Sequence, residues 1–406
     1  MSALENAKNM SGNEVMAKIA SSGLKEYGVY TEPVADRWNL VLNSRREDNV
    51  EQELVLLAAL NNADTTGALL EILKKAPEKV FEGMQIAAYA AGAGQMVLQI
   101  PEYAEKLAEE LQEKADAAGV VLVVGLVNVR AAKYNVVSHL VTMVAISELF
   151  DDCYTPGVYV AVNGGECKKY DENATVAEVL SQAGADVSDV KVYETGYTFS
   201  QESVAEKPVK DAGIANGVLN VMTSRNCIVQ ETEKRIAASR KQSCGKCVFC
   251  REGLIQLHGM ETDIKEGRGK AEYPDIMKEI GSAMTYSTPC SMGQQSAKVA
   301  LSSIELCGKE YEEHIRKKTC LAGVCFSKTV TYINPQLCEG CEECVDVCPE
   351  DCIEGKKNFI HMIDEFDCTQ CGKCMEVCEY DAIVQTNGKL PKLPDKLTKC
   401  GKFKKH

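Results

Sequence analysis

The sequence predicts a multidomain chain in which an α/β part is followed by an α+β part, and three observations predict it. Residues 1–150 alternate helical and apolar-strand patterns, as an α/β domain should. Residues 151–236 carry short strand signals around one helical stretch. Twenty cysteines stand in 406 residues, and twelve of them fall into three regularly spaced groups after residue 243.

In the first region Leu54 to Leu73 and Tyr103 to Ala118 read as helices. The longest apolar run, Val120 to Val129, is broken by Gly125 and Asn128. It is far short of the roughly 20 residues a spanning helix needs and reads as a buried strand. In residues 151–236, Val158 to Val162 and Val190 to Tyr193 read as strands, with a helix over Thr175 to Ala183 between them. Residues 237–316 are helix-rich, and residues 317–406 hold a cysteine repeat and a lysine-rich tail. With no Gly/Ser linker between these parts, a compact arrangement is expected.

Hydrophobic residues make up 45% and charged residues 26%, the balance of a globular protein. The net charge of −14 argues against a general nucleic-acid binder, which needs a basic face to neutralise phosphates. Lys389, Lys392, Lys396, Lys399, Lys402, Lys404 and Lys405 run the other way; they read as a solvated flexible end, with docking on an acidic partner as the alternative. The start, MSALENAKNMSGNE, has no basic region followed by an apolar stretch, so no signal peptide and a cytoplasmic protein are expected. Cysteines so clustered in a reducing compartment bind metal more readily than they form disulfides. No Ser–His–Asp or Cys–His nucleophile arrangement is recognisable, so no catalytic residue is assigned.

Cys338, Cys341, Cys344 and Cys348 form C-x2-C-x2-C-x3-C followed by Pro349, and Cys368, Cys371, Cys374 and Cys378 repeat the spacing 30 residues later. Three thiolates on one tight loop wrap three corners of an Fe4S4 cube, and the fourth corner lies beyond that loop's reach. In two-cluster ferredoxins the fourth thiolate comes from the other repeat. One cluster is thus expected on Cys338, Cys341, Cys344 and Cys378, the other on Cys368, Cys371, Cys374 and Cys348. Zinc knuckles are the competing reading. Cys352, 30 residues before Ala382, reads as a small buried residue.

Upstream, SCGKCVFCREG supplies Cys244, Cys247 and Cys250, and the next cysteine is Cys290 in STPCSMGQ. A zinc site or a thioredoxin-type C-x-x-C competes here. This segment resembles the family of FMN- and NADH-binding subunits of respiratory complex I. It also resembles the beta subunits of NADH-dependent [FeFe]-hydrogenases and formate dehydrogenases, which append a two-cluster ferredoxin. Glu82 to Ala90 (EGMQIAAYA) is similar to that family's EGMxIAAYAxGA helix, and Thr155-Pro156-Gly157-Val158-Tyr159 to the start of its β-grasp (SLBB) module. The resemblance implies a third [4Fe-4S] cluster on Cys244, Cys247, Cys250 and Cys290. It implies an FMN-domain α/β fold over 1–150, an SLBB-like module over 151–236, a helical-bundle iron–sulfur domain over 237–316 and a ferredoxin domain over 317–406. Members also carry H-x5-C-x4-C, here His314, Cys320 and Cys325; imidazole with thiolate suits one tetrahedral Zn2+, with Cys307, Cys352 or Cys400 as the fourth ligand. Buried thiols beside a surface histidine are the alternative.

The flavin site of the family is where the chain departs. The glycine loop LRGRGGAGFPTGLKW is here Leu24 to Trp38, LKEYGVYTEPVADRW. Glu26, Val29, Thr31 and Ala35 replace four of five glycines, and Gly28 remains. Such glycines let backbone N–H groups approach phosphate, and side chains block that approach. Glu26, Glu32 and Asp36 add like charge; at an effective dielectric of ~20 and ~4 Å one such contact costs roughly 4 kcal/mol, about a thousandfold in affinity. The family's NADEGEPG is Asn43 to Asn49, with Arg45 and Arg46 for the acidic pair, and its GAYxCGEETAL segment is missing between Val129-Arg130-Ala131-Ala132 and Tyr134. The expectation is a degenerate FMN/NADH domain that binds neither.

Two functions follow. One is an electron-transfer subunit relaying electrons through three [4Fe-4S] clusters to partner subunits, a catalytic oxidoreductase or a flavoprotein, or to ferredoxin. The other is an FMN-containing NADH dehydrogenase (diaphorase) subunit of a bifurcating complex. Clusters that only brace an interface are a third, non-redox reading.

Overall fold

The computed structural model describes residues 2–128, 133–325, 330–364, 367–368, 371–386 and 390–403. The chain divides into two compact units, Met1–Ala322 and Gly323–His406.

The first unit opens with α1 (Ala3–Lys8) and α2 (Gly12–Ser21), each started by a serine that caps the turn while a glutamate three residues on returns the hydrogen bond: Ser2 with Glu5 and Ser11 with Glu14. There follow α3 (Val34–Glu47), β1 (Val55–Ala59), α4 (Leu70–Lys75), α5 (Pro77–Ala91), β2 (Gln95–Ile100), α6 (Glu105–Ala118), β3 (Val120–Val124), β4 (Val136–His139) and α7 (Leu140–Phe150). The four strands make one parallel sheet in the order β3-β2-β1-β4. Its core includes Leu56, Leu98, Ile100, Met84 and Ile86. α5 starts on Pro77 and stops at Gly92, which takes the left-handed conformation a helix end favours.

Two expectations fail here. The stretch Leu54 to Leu73 is not one helix: β1 occupies its first part and α4 begins only at Leu70. A central parallel strand is covered on both faces and shows no alternation, so its apolar run mimics a buried helix. β3 is an edge strand rather than a buried one, with Val121, Val123 and Val124 exposed. Residues 129–132, at the deletion, lie outside the described residues.

The next sheet is mixed: β5 (Gly157–Val162), β6 (Lys168–Asp171), β7 (Val190–Thr195), β8 (Thr198–Ser200) and β9 (Val218–Thr223) lie in the order β6-β5-β9-β7-β8. α8 (Val176–Gln182), capped by Thr175 and Glu178, packs Val176, Val179 and Leu180 into the same core as Val160 and Leu219. Five helices complete the unit: α9 (Ile228–Gln242), α10 (Val248–Lys265), α11 (Tyr273–Ser287), α12 (Ser291–Ser296) and α13 (Lys298–Glu312), the last running into one π turn, Glu313–Lys317.

In the second unit β10 (Val330–Ile333) pairs antiparallel with β13 (Ile383–Thr386), and β11 (Ile353–Glu354) with β12 (Met362–Ile363). α14 (Glu343–Asp346) and α15 (Lys373–Val377) stand at equivalent places of the two repeats. The 30-residue offset extends to backbone detail: Asp351 and Asp381 share φ of 47° and 48°, and Glu342 and Gly372 share φ of 76° and 80°. The tail is not the free end expected from its lysines. Ile360 donates its N–H to Thr398 O at 2.9 Å, Phe359 pairs with Lys399, and Cys400 donates to Asn358 O at 3.1 Å. Lys389, Lys404 and Lys405 lie outside the described residues. Among the described residues no helix is long and apolar enough to cross a membrane.

Candidate functional site

The cysteines of the repeat come together across the repeats. Cys338, Cys341, Cys344 and Cys378 line one cavity; Cys348, Cys368, Cys371 and Cys374 line the other. Each first triplet rides a tight loop into a short helix, α14 or α15, and the fourth thiol arrives from the far end of the other repeat's helix. Burial, then the charges of Cys338, Cys341 and Cys378, push the Cys344 thiol up to about 12. The same causes raise Cys374, with Cys368, Cys371 and Cys348 as its neighbours. Thiols so crowded must give up protons to bind iron, so assembly couples to proton release. Cys352 is buried as expected, its Sγ 3.4 Å from that of Cys348.

The third group sits in the first unit. Cys244 and Cys247 lie on the loop before α10, Cys250 in its first turn, and Cys290 just before α12. Arg251 Nη1 closes the loop by donating to Gly245 O at 2.9 Å. Burial raises the Cys250 thiol, partly offset by the Ser243 hydroxyl, with Cys290, Cys244 and Cys247 adding to the rise. All four thiols therefore act on one neighbourhood.

His314 is wholly buried in the π turn, not on the surface. Its Nδ1 donates to Glu310 O at 2.8 Å, which leaves Nε2 as the ligand atom. That Nε2 lies 3.3 Å from Cys227 Sγ, and the ligand atoms of Cys227, His314 and Cys320 all fall within 4.8 Å of one another. Cys227 was not foreseen: it stands 87 residues before His314 and carries no spacing signal. Of the expected fourth ligands, Cys307 lies at a kink inside α13, and Cys352 and Cys400 lie in the second unit beside Cys348 and Cys338. Cys325, half-buried, follows Cys320 by five residues.

The loop that carries glycines in the resembled family is closed on itself. Glu26 N–H donates to Glu32 O at 2.9 Å and Val34 N–H to Leu24 O at 3.0 Å. The Glu26 side chain is buried at the first turn of α7. It accepts the His139 backbone N–H and the Thr142 hydroxyl, each at 2.6 Å, and the Ser138 hydroxyl at 3.0 Å. Burial pushes this carboxyl up, against the pull of those donors and Arg37. A helix start of this kind is an anion seat, and here the chain's own carboxylate takes it. Tyr27 packs on His139, and its hydroxyl accepts the Tyr159 N–H at 3.1 Å. Tyr30 donates to Gln294 Oε1 at 2.8 Å, four residues after Cys290. Gly28, at φ 96°, leaves no room for a Cβ beside Asn61. Arg45, in place of an acidic residue, donates to Tyr134 O at 2.7 Å and serves the fold. Beside the loop lies a cavity of about 770 Å³ lined by Tyr27, Tyr159, Lys169, Tyr197 and Lys298 among others.

Cysteine loops of this build, on this helical and repeat scaffold, define an iron–sulfur protein. Residues 231–314 match the family described as NADH-ubiquinone oxidoreductase-F iron-sulfur binding region, and residues 337–382 match the 4Fe-4S dicluster domain. The chain is 32% identical over 148 residues to HndC of the NADP-reducing hydrogenase of Solidesulfovibrio fructosivorans, covering 36% of this chain and 30% of that protein. It is 30% identical over 102 residues to an NADH-quinone oxidoreductase subunit of Streptomyces coelicolor, 25% of this chain and 23% of that one. Against the alpha subunit of the NAD-reducing hydrogenase HoxS of Cupriavidus necator it is 22% identical over 368 residues, 74% of this chain and 60% of that one. It thus spans less than two thirds of these relatives. A solved NAD+-reducing [NiFe]-hydrogenase chain shares the fold, with a TM-score of 0.60 at 16% identity over 77% of this chain and 64% of that one.

Proposed function

We propose that the chain is an electron-transfer subunit of a multi-subunit cytoplasmic oxidoreductase that relays electrons through three [4Fe-4S] clusters and has no flavin or pyridine-nucleotide site of its own. The relay reading rests on the three thiol sets, two crossing the repeats and one gathered at the starts of α10 and α12. Bound clusters supply one-electron transfer; the chain's residues hold them, bury them and tune them. One Zn2+ on Cys227, His314, Cys320 and Cys325 would brace the region after α13. The first three already converge, and Cys325 is tethered by only five residues, at most about 17 Å of extended chain.

The single observation that carries the absence of flavin is the seat of Glu26. Its carboxylate consumes the donors at the start of α7, and Val29, Thr31 and Ala35 put side chains where glycines would open the backbone. The cavity beside the loop favours a second reading, a retained FMN in a diaphorase subunit, because its volume is that of a small-molecule site. Acid extraction decides between them. The relay reading expects about 12 iron atoms per chain and no stoichiometric flavin. Flavin near one per chain with NADH-dependent dye reduction overturns it, as do clusters that stay silent in EPR under dithionite.

A further inference from the structure

The 30-residue offset makes each cluster cavity the other's control. Ile333 and Ile363, Ile353 and Ile383, and all the thiols occupy matching places. A few positions break the match, and one pair of them is built as a unit. His361 lines the cavity of Cys338, Cys341, Cys344 and Cys378; its counterpart Thr331 lines the other. His361 is 1% exposed, its Nδ1 is 4.0 Å from Cys338 Sγ, and its Nε2 is buried with no hydrogen-bond partner. Among the described residues no hydrogen bond joins Thr331 to a cysteine.

The space for the imidazole is made by a second break at the partner position. Gly355 lies against the His361 ring, so that any Cβ there would collide with it. The counterpart of Gly355 is Gln385, whose Nε2 donates to Thr331 Oγ1 at 3.4 Å. Large ring with glycine in one repeat answers small hydroxyl with glutamine in the other. The ring's surroundings also differ in charge. The loop it faces carries Glu339, Glu342 and Glu343, where the second repeat has Thr369, Gly372 and Lys373. Carboxylates beside a cluster oppose its reduction, and N–H donors to its sulfurs favour it.

We infer that His361 is a positioning residue for redox tuning: it aims a ring N–H at the sulfurs of the cluster on Cys338, Cys341, Cys344 and Cys378, and so offsets the three carboxylates of that loop. The inference rests on the three-cluster reading. One further break acts on the other cavity: Cys352, where the first has Ala382, offers a thiol, which is a weak donor.

EPR-monitored redox titration of the full chain tests it. His361→Thr should lower the midpoint of one cluster signal by about tenfold in its reduced-to-oxidised ratio, which is ~59 mV for one electron, and leave the others in place. The transplant Thr331→His with Gln385→Gly should raise a different signal, and it carries the test even where His361→Thr loads less iron. Potentials unchanged in the transplant, or all signals moving together, overturn the inference. Wild-type iron far below about 12 per chain instead fails the three-cluster reading itself.

Discussion

Glu26 accepts a hydrogen bond from the Thr142 hydroxyl at 2.6 Å, across 116 residues of sequence. The contact ties the loop before α3 to the first turn of α7, and two more donors, Ser138 and the His139 N–H, share the same carboxylate. Glu26→Ala leaves three buried donors without an acceptor. At roughly 1–3 kcal/mol for each unmet group, offset in part by relaxation, the loss should reach about 3 kcal/mol. Glu26→Gln, which keeps one acceptor oxygen, should cost about 1 kcal/mol. Calorimetry of the two variants should order them so.

Gly83 on α5 lies against the Met143 carbonyl of α7, and a Cβ at Gly83 would overlap it. The backbone of α7 thus lies directly against α5 at this point. Gly83→Ala must push them apart and should cost about 3 kcal/mol, seen as a lower urea midpoint with unchanged slope. A slope that falls instead would point to a loosened native state.

Glu261 is buried on α10 and accepts the Tyr311 hydroxyl at 2.7 Å. Burial lifts its carboxyl from 4.5 to about 8. The folded chain then keeps a proton that the unfolded chain releases. This group's contribution is complete below about 4.5 and falls as pH rises through about 8, by at most about 5 kcal/mol. Thermal melting at pH 6 should exceed that at pH 8.5, and Glu261→Gln should flatten the difference.

Cys227 and His314 face each other at 3.3 Å. Cys227→Ala should remove about one zinc per chain while iron stays at about 12. Cys307→Ala and Cys352→Ala should retain the zinc. Metal analysis of the three purified variants checks this, and zinc retained in Cys227→Ala would return the fourth ligand to the other cysteines.

Much of the candidate site was legible because its chemistry is local. Cysteines spaced two and three residues apart stay close in space, and their echo 30 residues on marks a repeat, so likeness to two-cluster ferredoxins was enough to propose the thiol sets of the second unit before any fold was known. The helices over Tyr103 to Ala118 and Thr175 to Ala183 were legible for the same reason: their apolar spacing and the Thr175 cap lie within a few turns. β1 was not, because covering on both faces erases the alternation that marks a strand. Lysine count misled at the tail, since backbone pairing of Lys399 with Phe359 leaves no trace in composition.

By itself the sequence determined the thiol sets, the repeat and the loss of glycines around Gly28, all of them properties of residue type and short spacing. Only the tertiary structure decided what those changes became: that Glu26 would sit on the donors of α7, that Cys227 would meet His314, and that Gly355 would open a place for His361. Each joins an element to another by packing and hydrogen bonds that no spacing rule encodes, because the partner is chosen by the whole fold and not by distance along the chain.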